Sequence, residues 1–163
     1  MKSKKNLNLK TLQKEIANLK KQKKEVVFTN GCFDLIHAGH VRYLTEARNL
    51  GDVLVVAVNS DASVRKLKGE KRPIVSQAQR LEVLSGFWFI DYLILFSGNT
   101  PKNLITALTP DILVKGGDWS LDQIVGRDHV EAHGGKVVRI KLVKNTSTTS
   151  LIDRVLTRFQ DTK

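Results

Sequence analysis

The chain has 163 residues, of which 41% are hydrophobic, 26% are charged and 6% are aromatic, and its formal net charge is +11 at pH 7. This composition excludes a disordered protein, and no apolar run reaches the ~18 residues that cross a bilayer, so we expect one folded domain with no membrane contact. A single cysteine, Cys32, excludes an intrachain disulfide, and the lysine-rich N-terminus lacks the apolar stretch of a signal peptide, which together predict a cytoplasmic protein.

Most of the net positive charge lies in the first 25 residues, which contain nine lysines and two glutamates. A basic segment of this kind is compatible with contacts to nucleic acid or to an anionic membrane surface. Apolar residues nevertheless recur in it at helical spacing, at Leu9, Leu12, Ile16 and Leu19. This spacing predicts a basic helical segment at 1–25 that packs on a domain at 26–163, with its lysines in solvent and no nucleic-acid partner.

Strands and helices are predicted to alternate along the rest of the chain. Short apolar runs predict strands at 26–29, 53–58, 92–95, 112–114 and 137–140. Helices are predicted at about 37–50, 76–85, 100–108 and 148–159, with a further short helix that ends at Gly134 and Gly135. This alternation predicts an α/β fold, a single Rossmann-like doubly wound domain with a five-stranded parallel sheet, whose ligands bind beyond the carboxyl ends of the strands.

The first predicted strand leads into a segment with the features of a phosphate site. His37 and His40 lie three residues apart at the start of a helix, beside unpaired N–H groups and the positive end of the helix dipole. Gly31 and Gly39 remove side chains where a phosphate would approach the backbone. Metal ligation is the alternative and would need a third ligand, for which Asp34 is the nearest candidate; we favour the phosphate site.

The segment Phe28–Asp34, followed by His37-Ala38-Gly39-His40, resembles the signature of the cytidylyltransferase-like nucleotidyltransferases, whose His-x-Gly-His motif holds nucleotide phosphates. Further stretches are similar to the D-glycero-β-D-manno-heptose 1-phosphate adenylyltransferases, and they lie at 57–65, 67–69, 72–74, 114–119, 124–126 and 147–149. The resemblance implies transfer of AMP from ATP to heptose 1-phosphate, giving pyrophosphate and ADP-heptose for the lipopolysaccharide core. It also implies Mg²⁺ on the triphosphate without a protein metal site, a homodimer or larger homo-oligomer, and a separate heptose kinase, because many relatives carry a fused sugar kinase.

The resemblance also implies roles for individual residues. His37, His40 and Lys68 would be the catalytic residues, with the histidines at the α- and β-phosphates and Lys68 able to reach a phosphate of either substrate. Lys68 belongs to a basic stretch after the second strand, Lys66–Arg72, whose alternative interpretation is a solvated loop. The other implied nucleotide-binding residues are Thr29, Asn30, Gly31, Phe33, Asp34, Gly39, Arg80, Lys115, Gly116, Gly117, Asp118, Ser147, Thr148 and Thr149. The pair Lys144-Asn145 stands where relatives usually carry a Glu-Gly pair.

These residue types suit the implied chemistry. A sugar phosphate is already an anion and needs no general base, so catalysis should come from positioning and from cations and N–H groups directed at phosphoryl oxygens. Two alternatives remain at this point. One is a glycerol 3-phosphate cytidylyltransferase-like transferase of the same fold; the other, from a different class, is a non-catalytic nucleotide- or nucleic-acid-binding protein.

Overall fold

A computed structural model of the chain describes residues 5–117, 120–141, 143 and 146–160, except for the side chain of Leu121. The helices are α1 (Leu9–Lys21), α2 (Ala38–Arg48), α3 (Asp61–Lys68), α4 (Gln77–Ser85), α5 (Lys102–Leu108), α6 (Arg127–Ala132) and α7 (Thr148–Phe159), with a short 3₁₀ turn at Leu121–Gln123. The strands are β1 (Val26–Gly31), β2 (Val53–Asn59), β3 (Tyr92–Phe96), β4 (Ile112–Gly116) and β5 (Lys136–Ile140).

The five strands form one parallel sheet in the order β3-β2-β1-β4-β5. The chain builds the sheet outward from β1 to β3 and then returns to add β4 on the other side of β1. The strand order therefore reverses between β1 and β4, and a ligand crevice is expected at the carboxyl ends of these two strands. The predicted α/β fold with a five-stranded parallel sheet is confirmed.

Each face of the sheet carries its own hydrophobic core. The first face, defined here by Val27 and Val114, packs against α2 and α4. The second face, defined by Phe28 and Leu113, packs against α1, α5 and α6. Because successive side chains of a strand point to opposite faces, Thr29 belongs to the first face, whereas Asn30 and Lys115 belong to the second.

One helix differs from the sequence-based expectation. No helix is predicted between β2 and position 76, and a solvated loop is the alternative interpretation of Lys66–Arg72, but α3 extends to Lys68. The helix begins where the Ser60 side chain accepts a hydrogen bond from the Ser63 N–H, and it ends at Gly69, whose φ of 92° is in the region that favours glycine. Lys68 is thus held at the end of a helix rather than in a flexible loop.

The N-terminal helix packs on the second face through Leu12 and Ile16, which are both buried. The residues before α1 run beside β3, where the Leu7 N–H donates to the Leu93 carbonyl (2.9 Å) and the Leu93 N–H donates to the Lys5 carbonyl (2.8 Å). Within the described part of the chain, no helix is long and apolar enough to span a bilayer.

Candidate active site

A cavity of about 570 Å³ opens at the carboxyl ends of the strands, where the strand order reverses. Residues from the ends of β1 and β4, from the starts of α2 and α7, and from the end of α3 line it. Most of the residues implied by the resemblance lie on its wall, namely Asn30, Gly31, Phe33, Asp34, His37, Gly39, His40, Lys68, Lys115, Gly116, Ser147, Thr148 and Thr149. The cavity therefore gathers side chains that are up to 119 positions apart in the sequence, from Asn30 to Thr149.

The two histidines form a stacked pair at the start of α2. Their ring centroids are 3.8 Å apart with an interplanar angle of 23°, and the edge of Phe33 packs against His40. The Nδ1 atoms of both rings are buried and have no hydrogen-bond partner among the described residues. Buried polar atoms are almost always paired in folded proteins, so two unpaired nitrogens in a cavity mark a place for a ligand.

Burial also controls the charge of this pair. It lowers the pKa of His37, and it lowers the pKa of His40 to about 4, with the nearby His37 adding to the effect. Both imidazoles are therefore neutral at pH 7 while the cavity holds no anion. A bound phosphate would favour their protonated forms and raise both pKa values, which couples anion binding to proton uptake.

Gly39 lets three parts of the site meet. A Cβ at this position would lie 2.6 Å from Thr146 Oγ1 and 2.9 Å from His37 Nδ1, closer than side chains tolerate. The start of α2 and the segment before α7 can touch only because this side chain is missing. The two helix N-termini consequently converge on the same side of the cavity, and both favour an anion.

The N-terminus of α7 is closed by a reciprocal pair of hydrogen bonds. The Ser150 N–H donates to Ser147 Oγ (3.0 Å), and the Ser147 N–H donates to Ser150 Oγ (3.1 Å). This capping box leaves the N–H groups of Thr148 and Thr149 without intrahelical partners. They are the groups of α7 best placed to bind phosphate oxygens in the cavity.

Gly31 and Phe33 shape the turn between β1 and α2. Phe33 has a φ of 47°, an uncommon conformation for a side chain of this size. A Cβ at Gly31 would lie 3.0 Å from the Phe33 ring, a tighter contact than most Cβ atoms make, so glycine gives the ring room beneath the strand end. The turn thereby places the Phe33 ring against His40.

Asp34 lines the cavity, but its carboxylate is already engaged. It accepts hydrogen bonds from Arg72 Nε (2.6 Å), the Ile74 N–H (2.9 Å) and the Val75 N–H (2.8 Å). Burial by itself raises the pKa of Asp34, but the bonds from Val75, Ile74 and Arg72 outweigh it and hold this pKa below its usual value. The described residues contain no group of three or more His, Cys, Asp or Glu side chains that could hold a metal ion.

Two lysines reach the cavity from different directions. Lys115 lies at the end of β4, and its Nζ donates a hydrogen bond to Asn30 Oδ1 at the end of β1. Burial lowers the pKa of Lys115 to about 8, so it remains mostly charged at pH 7. Lys68, in contrast, is exposed at the end of α3 and belongs to the rim of the cavity.

Two predicted nucleotide contacts lie outside the cavity wall. Thr29 is fully buried. Its hydroxyl is hydrogen bonded to the Tyr43 hydroxyl (2.7 Å) and donates to the Val114 carbonyl (3.1 Å). It holds α2 and β4 against β1 instead of facing a ligand. Gly117 donates its N–H to the Ile140 carbonyl (2.8 Å) and so ties the end of β4 to β5.

Arg80, a third residue implied to bind the nucleotide, is not among the residues that line the cavity. Its residue is 1% exposed, and its guanidinium donates to the carbonyls of Val75 (3.0 Å), Cys32 and Asn59 (2.8 Å) and to Asp61 Oδ1 (2.9 Å). Protein acceptors therefore surround this cation, whereas the phosphate contact that the resemblance implies stays a prediction. Asp118, Lys144 and Asn145 lie outside the described residues.

Sequence reasoning assigned no site role to part of the cavity wall. Several of these lining residues lie in the family-like stretches named above, including Asn59, Leu67, Arg72, Ile124 and Val125, and others lie outside them, namely Tyr43, Asn99, Thr100, Pro101, Gln123, Val143 and Thr146. Asn59 ends β2 and Asn99 follows β3, so their position at strand ends is a signal that would have assigned them to the site. Ile124 also packs in the second core, which holds the segment 123–125 at the cavity.

Comparison with known proteins agrees with this arrangement. A sequence model described as cytidylyltransferase-like matches residues 28–154. The chain is 52% identical over 152 residues to proteins named bifunctional protein HldE from Citrifermentans bemidjiense and from Geobacter sulfurreducens. The match covers 93% of this chain but 31% of each relative, so the chain spans about a third of the length of these curated relatives.

Solved structures show the same fold. The lipopolysaccharide core biosynthesis protein from Thermoplasma volcanium is 30% identical, with a TM-score of 0.61 over 74% of this chain and 98% of that one. A pantoate-beta-alanine ligase from Francisella tularensis gives a TM-score of 0.62 over 97% of this chain and 79% of that one. At 15% identity, the second similarity concerns the fold alone.

Proposed function

Because the chain belongs to the cytidylyltransferase-like family, we propose that it transfers AMP from ATP to D-glycero-β-D-manno-heptose 1-phosphate and releases pyrophosphate. The observation that carries this proposal is the 52% identity that extends over 93% of the chain to the HldE proteins. The 30% identical lipopolysaccharide core biosynthesis protein supports the same direction, because ADP-heptose would be a precursor of that core.

The triphosphate would bind on the first face of the sheet. There the N-termini of α2 and α7 converge, and the two unpaired imidazoles of His37 and His40 face the cavity. These groups would donate to oxygens of the α- and β-phosphates and stabilise the charge that moves to pyrophosphate. The main-chain groups of Gly116, at the end of β4, would lie beside the nucleoside, as the resemblance implies.

The acceptor brings its own nucleophile. An oxygen of the sugar phosphate forms a bond to the α-phosphorus while the bond from that phosphorus to the bridging oxygen breaks, and pyrophosphate leaves with the electron pair. No proton needs to be removed from the nucleophile, because it is already an anion at neutral pH. The protein therefore contributes by holding two polyanions in contact, in line for the displacement.

ATP would enter as its Mg²⁺ complex. Among the described lining residues, the carboxylate is that of Asp34, and Arg72 and two N–H groups already occupy it. The remaining side chains are neutral or cationic and suit phosphate oxygens better than a metal ion. The cation would therefore be held by the triphosphate and by water, as is usual for Mg²⁺ on nucleotides.

The decisive experiment measures pyrophosphate release in Mg²⁺ buffer from each of the four nucleoside triphosphates, with heptose 1-phosphate and then glycerol 3-phosphate as acceptor. Release with ATP and the heptose is the expected result. Release only with CTP and glycerol 3-phosphate would replace the proposed function by the cytidylyltransferase alternative. Absence of release in every mixture would refute a transferase and favour a nucleotide-binding protein.

A further inference from the structure

A partly buried cation, Lys115, lies on the face of the sheet opposite the histidines. Strand alternation places Lys115 and Asn30 on the second face, whereas α2, which carries His37 and His40, packs on the first. The β1–β4 pairing includes Phe28 opposite Leu113, and Asn30 and Lys115 each lie two residues beyond that pair, where their side chains are hydrogen bonded. The cavity lies at the carboxyl ends of the strands, and both the histidine pair and Lys115 line it.

The charge of Lys115 has no counter-ion in the described part of the chain. The acidic residue there that lines the cavity, Asp34, is paired with Arg72 (2.6 Å), and the ion pairs of the described residues do not include Lys115. Its partner Asn30 offers an amide oxygen, which orients the ammonium group but does not neutralise it. Partial burial of a cation without a counter-ion costs free energy, and an anionic ligand would relieve that cost.

The surroundings of Lys115 differ from those of the histidines. Asn99 and Thr100 lead into α5, and Gln123 precedes Ile124; both α5 and Ile124 pack in the second core. These polar, uncharged side chains line the cavity on the same face as Lys115 and suit the hydroxyl groups of a sugar. The second face thus offers one phosphate-binding cation beside hydroxyl-binding groups, whereas the first face offers two helix N-termini for a polyphosphate.

The reaction geometry connects the two faces. In an in-line displacement the nucleophile approaches the α-phosphorus from the side opposite the leaving pyrophosphate. If the pyrophosphate end of ATP lies at the N-termini of α2 and α7, the attacking phosphate must arrive from the second face. Resting on the function proposed above, we propose that Lys115, oriented by Asn30, binds the phosphate of the acceptor and directs it at the α-phosphorus.

The test compares Lys115→Met with wild type in steady-state assays in which ATP and the acceptor are varied separately. Loss of one charged hydrogen bond to phosphate should raise KM for the acceptor on the order of 10- to 100-fold, while KM for ATP changes less than about threefold. Lys66→Met is the matched control, because Lys66 is exposed on α3 outside the cavity and its loss removes the same charge. This control should behave like wild type.

A second variant keeps the proposal testable if Lys115→Met does not fold. Asn30→Asp keeps the size of the side chain but supplies a carboxylate that pairs with Lys115, so it should also raise KM for the acceptor and spare ATP. The assignment would be overturned if KM rose for ATP alone, if it rose equally for both substrates, or if it rose in neither variant.

The outcome for this inference can be separated from that for the proposed function. If wild type uses another phosphorylated acceptor in place of the heptose, the proposed function fails. The Lys115→Met series measured with that acceptor then decides the inference independently. If wild type uses no phosphorylated acceptor at all, both are refuted.

Discussion

Replacement of Arg80 by methionine should destabilise the protein strongly while leaving its affinity for ATP almost unchanged. The Arg80 guanidinium joins four separate places: the carbonyls of Cys32, Asn59 and Val75, and the carboxylate of Asp61. Methionine fills much of the same volume but donates no hydrogen bond. The buried acceptors and the Asp61 charge would then lose their partner.

The magnitude follows from the burial of the pair. The Arg80 side chain is 0% exposed and that of Asp61 is 26% exposed, so the pair is shielded from solvent mainly on the arginine side. Removing one partner of a buried ion pair costs about 3–5 kcal/mol. For a domain of this size, 1 kcal/mol shifts Tm by about 2–4 °C, so Tm should fall by roughly 6–20 °C.

The assay combines thermal denaturation of Arg80→Met, which gives its Tm, with KM for ATP, measured by pyrophosphate release well below that Tm. Arg154→Met, at an exposed position of α7, is the control for loss of an arginine charge and should keep both values. Arg80→Lys should lie between wild type and Arg80→Met in stability. An unchanged Tm together with a tenfold or larger rise in KM for ATP would refute the structural role and restore a direct phosphate contact.

Three further predictions concern the cavity wall. The folded pKa of His40 is about 4 and the unfolded value is near 6.5, so the unfolded chain binds more protons between these pH values and stability should rise with pH there. Between pH 5 and 7, the free energy of unfolding of wild type should therefore gain about 2 kcal/mol more than that of His40→Asn. Equal gains of the two proteins in urea titrations would contradict the low pKa. Gly39→Ala should lower turnover on the order of 10- to 100-fold, because its methyl group would displace Thr146 and His37, and an unchanged kcat would show that the site absorbs the clash. Asp34→Asn should lower the free energy of unfolding by about 3–5 kcal/mol at pH 7. The folded pKa of Asp34 is depressed, so the stability that its carboxylate contributes is present above the unfolded value near 3.9 and is lost as pH falls through the folded pKa. An effect of Asp34→Asn as large at pH 3 as at pH 7 would contradict this assignment.

The strands were predictable because their information is local. Each buried strand is a short apolar run, and the predicted runs fall inside β1 to β5 with ends that differ by one or two residues. The differences arise where polar or small residues, such as Asn30 and Gly31, continue the pairing beyond the apolar run. Helix α3 was missed because it is short and mostly polar, and within it burial is confined to Ser63 and Val64.

In the site, too, contacts between sequence neighbours could be predicted and contacts between distant residues could not. The phosphate-binding turn could be predicted because His37, Gly39 and His40 are neighbours in sequence and their helix begins there. The surroundings of Arg80 and Lys115 could not, because their partners Cys32 and Asn30 lie 48 and 85 positions away. Motif similarity identified these two positions, but the direction of each side chain depends on which strands the topology makes adjacent.

The residues that precede α1 have a consequence for the behaviour of the molecule among its own copies. β3 is an outer strand with the apolar sequence Tyr-Leu-Ile-Leu-Phe, a type of edge that readily recruits another chain. The backbone bonds from Lys5 and Leu7 to Leu93 occupy part of that edge. At the opposite border, β5 exposes Lys136 and Arg139, whose charges oppose addition of a strand. The sheet thus protects one border with its own chain and the other with charge, and both devices act against aggregation through open strand edges.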